Sequence, residues 1–114
     1  MFVYRSYFVY YSLVSSSAPT LPTKERLILE ALATGGPQFG LQLVDGSGGQ
    51  LKRGTVYVTL GRMERKGFIT SEQEPPAPGA IGLPRRIYRT TPLGERALRA
   101  WATFTRELAW GGQS

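Results

Sequence analysis

Leu51-Lys52-Arg53-Gly54-Thr55-Val56-Tyr57-Val58-Thr59-Leu60-Gly61-Arg62-Met63-Glu64-Arg65-Lys66-Gly67-Phe68-Ile69 joins a helix with one apolar face to a basic outer face and a glycine stop that runs into a strand. At roughly 100° per residue, Val56, Leu60 and Met63 fall within a narrow arc, and Thr55, Val58, Arg62 and Arg65 lie on the opposite half. The first set predicts a core-facing side. The second predicts a side that faces outward. Lys52 and Arg53 stand at the start of this helix, where the macrodipole is positive and cations are mildly unfavourable, so the arrangement makes sense if an anion docks there. A phosphate backbone supplies such an anion. Gly61 inside the helix costs roughly 1 kcal/mol relative to alanine, consistent with close approach to something on that face.

The whole chain, at 114 residues, suits one domain with a modest core. Its formal net charge of +6 attracts phosphate or anionic lipid without specifying either. The plainer account is a merely soluble basic protein. Cysteine and histidine are both absent. That removes disulfide scaffolds, thiol nucleophiles, thiolate zinc sites and imidazole bases together. Of the eight acidic residues, Glu25, Glu30 and Asp45 are scattered, Glu72 and Glu74 sit at a strand end, and Glu95 and Glu107 belong to a helix face. None makes a catalytic constellation, and solvated or ion-paired surface carboxylates are expected. No enzyme, metal or cofactor is expected.

Around the central helix the chain reads as a series of short elements. Residues 1–22 form an aromatic leader, Met1 to Val14, followed by a Ser/Pro linker, Ser15 to Pro22. The apolar run from Tyr7 to Val14 is shorter than the about 20 residues a membrane helix needs. A signal peptide is conceivable here, as are a strand, a segment packing on a partner chain, or an unstructured leader. Thr23 is the expected N-cap of a first helix carrying Leu27, Ile28, Ala31 and Leu32 inward and ending at Gly35-Gly36-Pro37. A second short helix is expected from about Gln38 or Phe39 to Val44, with Phe39, Leu43 and Val44 inward. Asp45-Gly46-Ser47-Gly48-Gly49 breaks it without the Lys-Ser/Thr ending of a phosphate loop.

After the central helix, Phe68 to Glu74 and Arg85 to Thr91 read as the two strands of a hairpin with a proline-stiffened tip. Alternation puts Arg86, Tyr88 and Thr90 on one face of the return strand and Arg85, Ile87 and Arg89 on the other. The hairpin is either a wing lying along DNA or a charged, solubilised edge. Thr91-Pro92 makes a good N-cap and N1 pair for a last helix to about Ala109. Its stripe Leu93, Ala97, Trp101, Phe104 and Leu108 has the period of a helix seam. We expect this stripe to pair with the same helix of a second subunit, the alternative being that it folds back on its own core. A homodimer would set two copies of the central helix about 34 Å apart, matching successive major grooves.

In Lys52 to Ile69 and in Arg85-Arg86-Ile87-Tyr88-Arg89-Thr90-Thr91-Pro92-Leu93-Gly94, the chain resembles the PadR-like family of winged helix-turn-helix transcriptional regulators. The resemblance runs from about Leu21 to Leu108. It is sharpest at Gly54-Thr55 with Tyr57 and Leu60, at Lys66-Gly67-Phe68-Ile69, and from Tyr88 to Gly94. It implies a mainly α fold with a β-hairpin wing plus a C-terminal dimerisation helix, in the short form with one such helix. The implied divisions are the leader, a winged helix-turn-helix DNA-binding domain over 23–91, and a dimerisation helix and tail over 92–114. By this resemblance Thr55, Tyr57, Thr59 and Arg62 lie near double-stranded DNA, with Arg85-Arg86 as the wing. Tyr57 is equally readable as a packing residue.

We expect phosphate contacts from Lys52, Arg53, Lys66, Arg85 and Arg86, and base contacts from Thr55, Thr59 and Arg62. The sequence departs from the family pattern at Leu41 after Gly40, at Lys52 in place of a small polar cap, and at Leu83-Pro84-Arg85 in the wing. The expected function is that of a cytoplasmic homodimeric repressor with no membrane association. The resemblance also admits a small aromatic effector at Trp101 or Trp110, where buried packing is the plainer role. The alternative from another class is a protein-interaction module that uses the same fold without specific DNA binding.

Overall fold

The computed structural model describes residues 21–75, 79 and 84–111. The expectations placed on the leader over 1–20, the wing tip and the Trp110 side chain lie outside the described residues. The elements run α1 (Thr23–Gly35), β1 (Gln38–Phe39), α2 (Gly40–Asp45), α3 (Arg53–Lys66), β2 (Ile69–Gln73), β3 (Arg86–Thr90) and α4 (Pro92–Gly111).

α1 begins one residue earlier than expected: Pro22 holds the cap position, its carbonyl accepting from the Arg26 amide at 2.9 Å, and Thr23 lies within the helix. Leu21 packs against the core, so the folded body reaches into the segment expected to be linker. Gln38 and Phe39 are not helical. They form a two-residue strand antiparallel to β3, with Gln38 opposite Tyr88 and Phe39 opposite Ile87. The Gln38 side chain donates to the Ala31 carbonyl at 2.9 Å, which ties this strand to α1. α2 follows directly, with the Gln42 carboxamide accepting from the Phe39 amide at 2.8 Å. Leu43 is buried as expected, but Phe39 and Val44 are only half-buried.

The sheet order is β1-β3-β2, with β2 and β3 forming the hairpin in the register Ile69 to Thr90 through Gln73 to Arg86. On β3 only Tyr88 is buried, while Arg86 and Arg89 are exposed and Ile87 and Thr90 half-buried. The core gathers Ile28, Leu29 and Leu32 of α1, Leu43 of α2, Leu51, Val56, Leu60 and Met63 of α3 with its approach, and Ile69 and Tyr88 of the hairpin. The three residues that spacing assigned inward on α3 are therefore all in it.

Two junctions hold α3 in this frame. At its end Gly67 takes a left-handed conformation (φ 81°), which glycine adopts without the Cβ penalty. Its amide donates to the Glu64 carbonyl at 3.0 Å and that of Phe68 to the Met63 carbonyl at 3.0 Å. At the start of α4, Thr91 caps the helix by accepting from the Gly94 amide at 3.1 Å, and the same hydroxyl donates to the Gly67 carbonyl at 2.5 Å. A Cβ on Gly94 would run into the Phe68 carbonyl. The end of α3 and the beginning of α4 are thus one packed unit.

Candidate nucleic-acid interface

The outward side of α3 carries Thr55, Val58, Arg62 and Arg65, all exposed, with Lys52 and Arg53 exposed at its start. Lys52 occupies the N-cap position with no side-chain cap bond, and the first turn contains no acidic residue. The positive end of the helix dipole is therefore joined by two cations and no compensating carboxylate. Among the described residues none of Lys52, Arg53, Arg62 or Arg65 makes an ion pair. Each such unpaired cation is available to an external anion.

Tyr57, expected either beside DNA or in packing, is partly packed and partly exposed. It is 51% exposed, yet its ring lies over Gly40 so closely that a Cβ there would overlap it. Gly40 opens α2, so this contact sets α2 against α3, and the exposed remainder of the ring stays on the outer side. Leu41, next along, is also exposed.

Two of the expected contacts are engaged within the chain, Thr59 as a buried residue and Lys66 as an exposed one in an ion pair. Thr59 is buried, and its hydroxyl donates to the Thr55 carbonyl at 3.2 Å within the same helix, so it does not present an edge to a base. It lies about 60° from Val56 on the wheel, beside the apolar arc, and the packing closes over that flank. Lys66 reaches back to Glu25 on α1, its ammonium donating to both carboxylate oxygens at 2.9 and 3.0 Å. Glu25 is itself almost fully buried, against the expectation of a solvated or surface-paired carboxylate. A charge so placed is held by its partner, which commits Lys66 to the fold. Residue types alone could not have paired positions 41 apart; the signal available was an acidic residue at helical spacing with Ile28, Leu29 and Leu32.

The wing arginines are engaged at the hairpin base. The Arg85 guanidinium lies 4.3 Å from the centre of the Phe39 ring and 3.5 Å from Glu74. Arg86 donates through Nε to the Ser71 hydroxyl at 3.1 Å, and Ser71 donates to Glu64 at 2.9 Å. This chain ties the wing to the outer flank of α3. Both arginines remain exposed, so these contacts orient them at the edge of the α3 face without removing them from solvent. Buried beneath the same strand, the Tyr88 hydroxyl is pushed above the usual tyrosine pKa by desolvation, then by the negative charge of Glu64, with Arg86 opposing.

The α4 stripe changes surroundings along its length. Leu98 packs on the core and Leu93, Ala97, Trp101 and Phe104 are half-buried, whereas Leu108 is 61% exposed. Arg26 of α1 stacks on Trp101 with its guanidinium 4.6 Å from the ring centre. The first turns thus fold against their own domain, and in the later turns Leu108 is left exposed. Among the described residues no helix is long and apolar enough to cross a membrane.

Residues 28–100 match the family model described as the transcriptional regulator PadR-like family. The chain is 42% identical over 71 residues to the transcriptional regulator Rv3488 of Mycobacterium tuberculosis, covering 59% of this chain and 62% of that protein, less than two thirds of its length. It superposes on a PadR family transcriptional regulator from Eggerthella lenta with TM-score 0.63 and 28% identity, covering 93% of this chain and 94% of the other. It also superposes on Bacillus subtilis PadR, solved in complex with operator DNA, with TM-score 0.62 and 19% identity over 82% of this chain and 61% of that one. The latter likeness is one of fold. It is a winged helix with a following C-terminal helix, as the sequence led us to expect.

Proposed function

Because the chain belongs to the PadR-like family of transcriptional regulators, we propose that it binds a specific DNA duplex as a homodimer and represses transcription by occupying a promoter, in the cytoplasm. The observation that carries this reading is the outer side of α3, where Lys52, Arg53, Arg62 and Arg65 stand exposed without internal ion pairs. A fold-level relative solved on operator DNA supports it. In this reading α3 enters the major groove, Thr55 and Arg62 reach base edges, Tyr57 lies beside them, and Lys52 and Arg53 meet phosphates at the helix start. Arg85 and Arg86 border the groove from the wing. Thr59 and Lys66 act through packing.

The domain over 23–91 would carry the DNA contact and α4 the pairing of subunits, through Phe104, Leu108 and the outward parts of Leu93, Ala97 and Trp101. A flat aromatic effector seated between the paired helices would meet Trp101, which is half-buried. Quenching of tryptophan fluorescence on titration with planar aromatics tests for it, and a flat titration would remove it.

Selection of bound duplexes from a random pool, with mass measurement of the complex, tests the whole reading. A recovered motif with two copies of the chain supports it. Random recovery, with binding that ignores salt, would instead point to a protein-interaction module. Arg62→Ala should cost about 1 to 3 kcal/mol of binding and relax specificity at one base position if Arg62 reads a guanine. Uniform weakening on all sequences would make it a phosphate contact.

A further inference from the structure

Charge accounts for most of the outer side of α3, but not for its middle. Val58 stands there 60% exposed, a β-branched apolar side chain surrounded by Thr55, Arg62 and Arg65 at helical neighbour spacings. It touches no part of the core. On the same side Gly54 precedes it by four residues and Gly61 follows it by three. Neither glycine is required by the fold. A Cβ on Gly54 would meet nothing within 4 Å, and one on Gly61 would meet only the end of the Arg65 side chain, at the ordinary contact distance of 3.7 Å. Neither has the positive φ that would favour glycine. Alanine would fit at both positions and would make the better helix. The bare backbone on either side of Val58 therefore serves something outside the chain.

We infer that Val58 is a specificity residue that packs against the C5-methyl group of a thymine in the major groove, with Gly54 and Gly61 letting the α3 backbone approach the base edges on either side. This rests on the DNA-binding reading above and deepens it. The occupant is chosen by charge complementarity. An apolar spot flanked by Arg62 and Arg65, on a helix that begins with Lys52 and Arg53, suits an apolar group carried within a polyanion, and the thymine methyl is the apolar group that the major groove presents. An aliphatic side chain cannot distinguish bases by hydrogen bonding, so its contribution lies in this contact.

The test uses the full chain and the duplex recovered from the random pool, with each thymine replaced in turn by deoxyuridine. This removes one methyl group and leaves every hydrogen-bonding edge intact. Wild-type protein should lose about three- to five-fold in affinity at one thymine of each half-site, the scale expected for one buried methyl. Val58→Ala should bind the thymine and uracil duplexes equally at that position. Gly61→Ala should melt at a higher temperature than wild type while binding the duplex more weakly.

A motif recovered without any uracil response would overturn the Val58 contact and leave DNA recognition standing. So would a uracil penalty that persists in Val58→Ala. Tighter or unchanged binding by a stabilised Gly61→Ala protein would overturn the close approach. Failure to enrich any duplex would overturn the underlying reading together with this one.

Discussion

The two ends of α3 handle positive charge in opposite ways. At its C-terminal end Lys66 is spent inside the molecule on the buried carboxylate of Glu25, and Gly67 closes the helix with a left-handed turn. At its N-terminal end Lys52 and Arg53 face solvent beside the positive pole of the helix, with no carboxylate in the first turn. The same residue type thus stabilises the fold at one end and weakens it slightly at the other. Cations placed where they are unfavourable to the isolated domain fit the anionic partner proposed above, whereas the buried pair needs none.

Substitution at the two ends separates these roles, and the largest effect belongs to Lys66. Lys66→Ala leaves the Glu25 carboxylate buried without its partner and should cost roughly 2 to 3 kcal/mol, discounted because the lysine is partly solvated. Thermal or denaturant unfolding reads this. Glu25→Gln should cost less, since the freed ammonium can turn to water. Equal losses for the two variants would mean that the pair is not held as the geometry indicates.

At the other end, Lys52→Ala and Arg53→Ala should leave unfolding within about 0.5 kcal/mol of wild type. Each should lower the slope of log affinity against log salt for duplex binding by about one. An unchanged slope would place that residue away from phosphate. The smallest effect concerns the buried flank near Glu64. Since the Tyr88 pKa is raised on folding, the neutral phenol favours the folded state. Its contribution is fully present below about pH 10, the usual tyrosine value, and is lost as pH rises through the folded-state value. Melting temperatures of wild type and Tyr88→Phe should therefore run parallel below that pH and diverge above it, with wild type falling faster. Parallel curves throughout would remove the phenol from this role.

The periodic and the local features of this fold are legible in the sequence. Val56, Leu60 and Met63 announce the inner side of α3 through spacing alone, and Gly67 and Thr91-Pro92 mark their junctions by the backbone conformations they favour. β1 was missed because two residues carry no period, and its partner lies about fifty positions away on β3. Thr59 sits at the margin between the two sides of the helix, where a wheel cannot say which neighbour will cover it. Phe39 under Arg85 depends on the β1–β3 register and Ser71 between Arg86 and Glu64 on that of the hairpin, which residue types alone do not determine. The candidate interface was accordingly legible as a helix side and a charge. Which cations the fold consumes became visible only in three dimensions.

The joint at Gly67, Phe68, Thr91 and Gly94 has a mechanical meaning. A hydroxyl, a carbonyl and a glycine without room for a side chain pin the start of α4 to the turn that ends α3, while the body of α4 packs on α1. In a pair of subunits joined along α4, a small slide at the seam would swing both reading helices and alter their separation with little slack to absorb it. On the proposed reading, the reach of such a dimer along a duplex would then be adjusted at the far end of α4, where Leu108 is exposed.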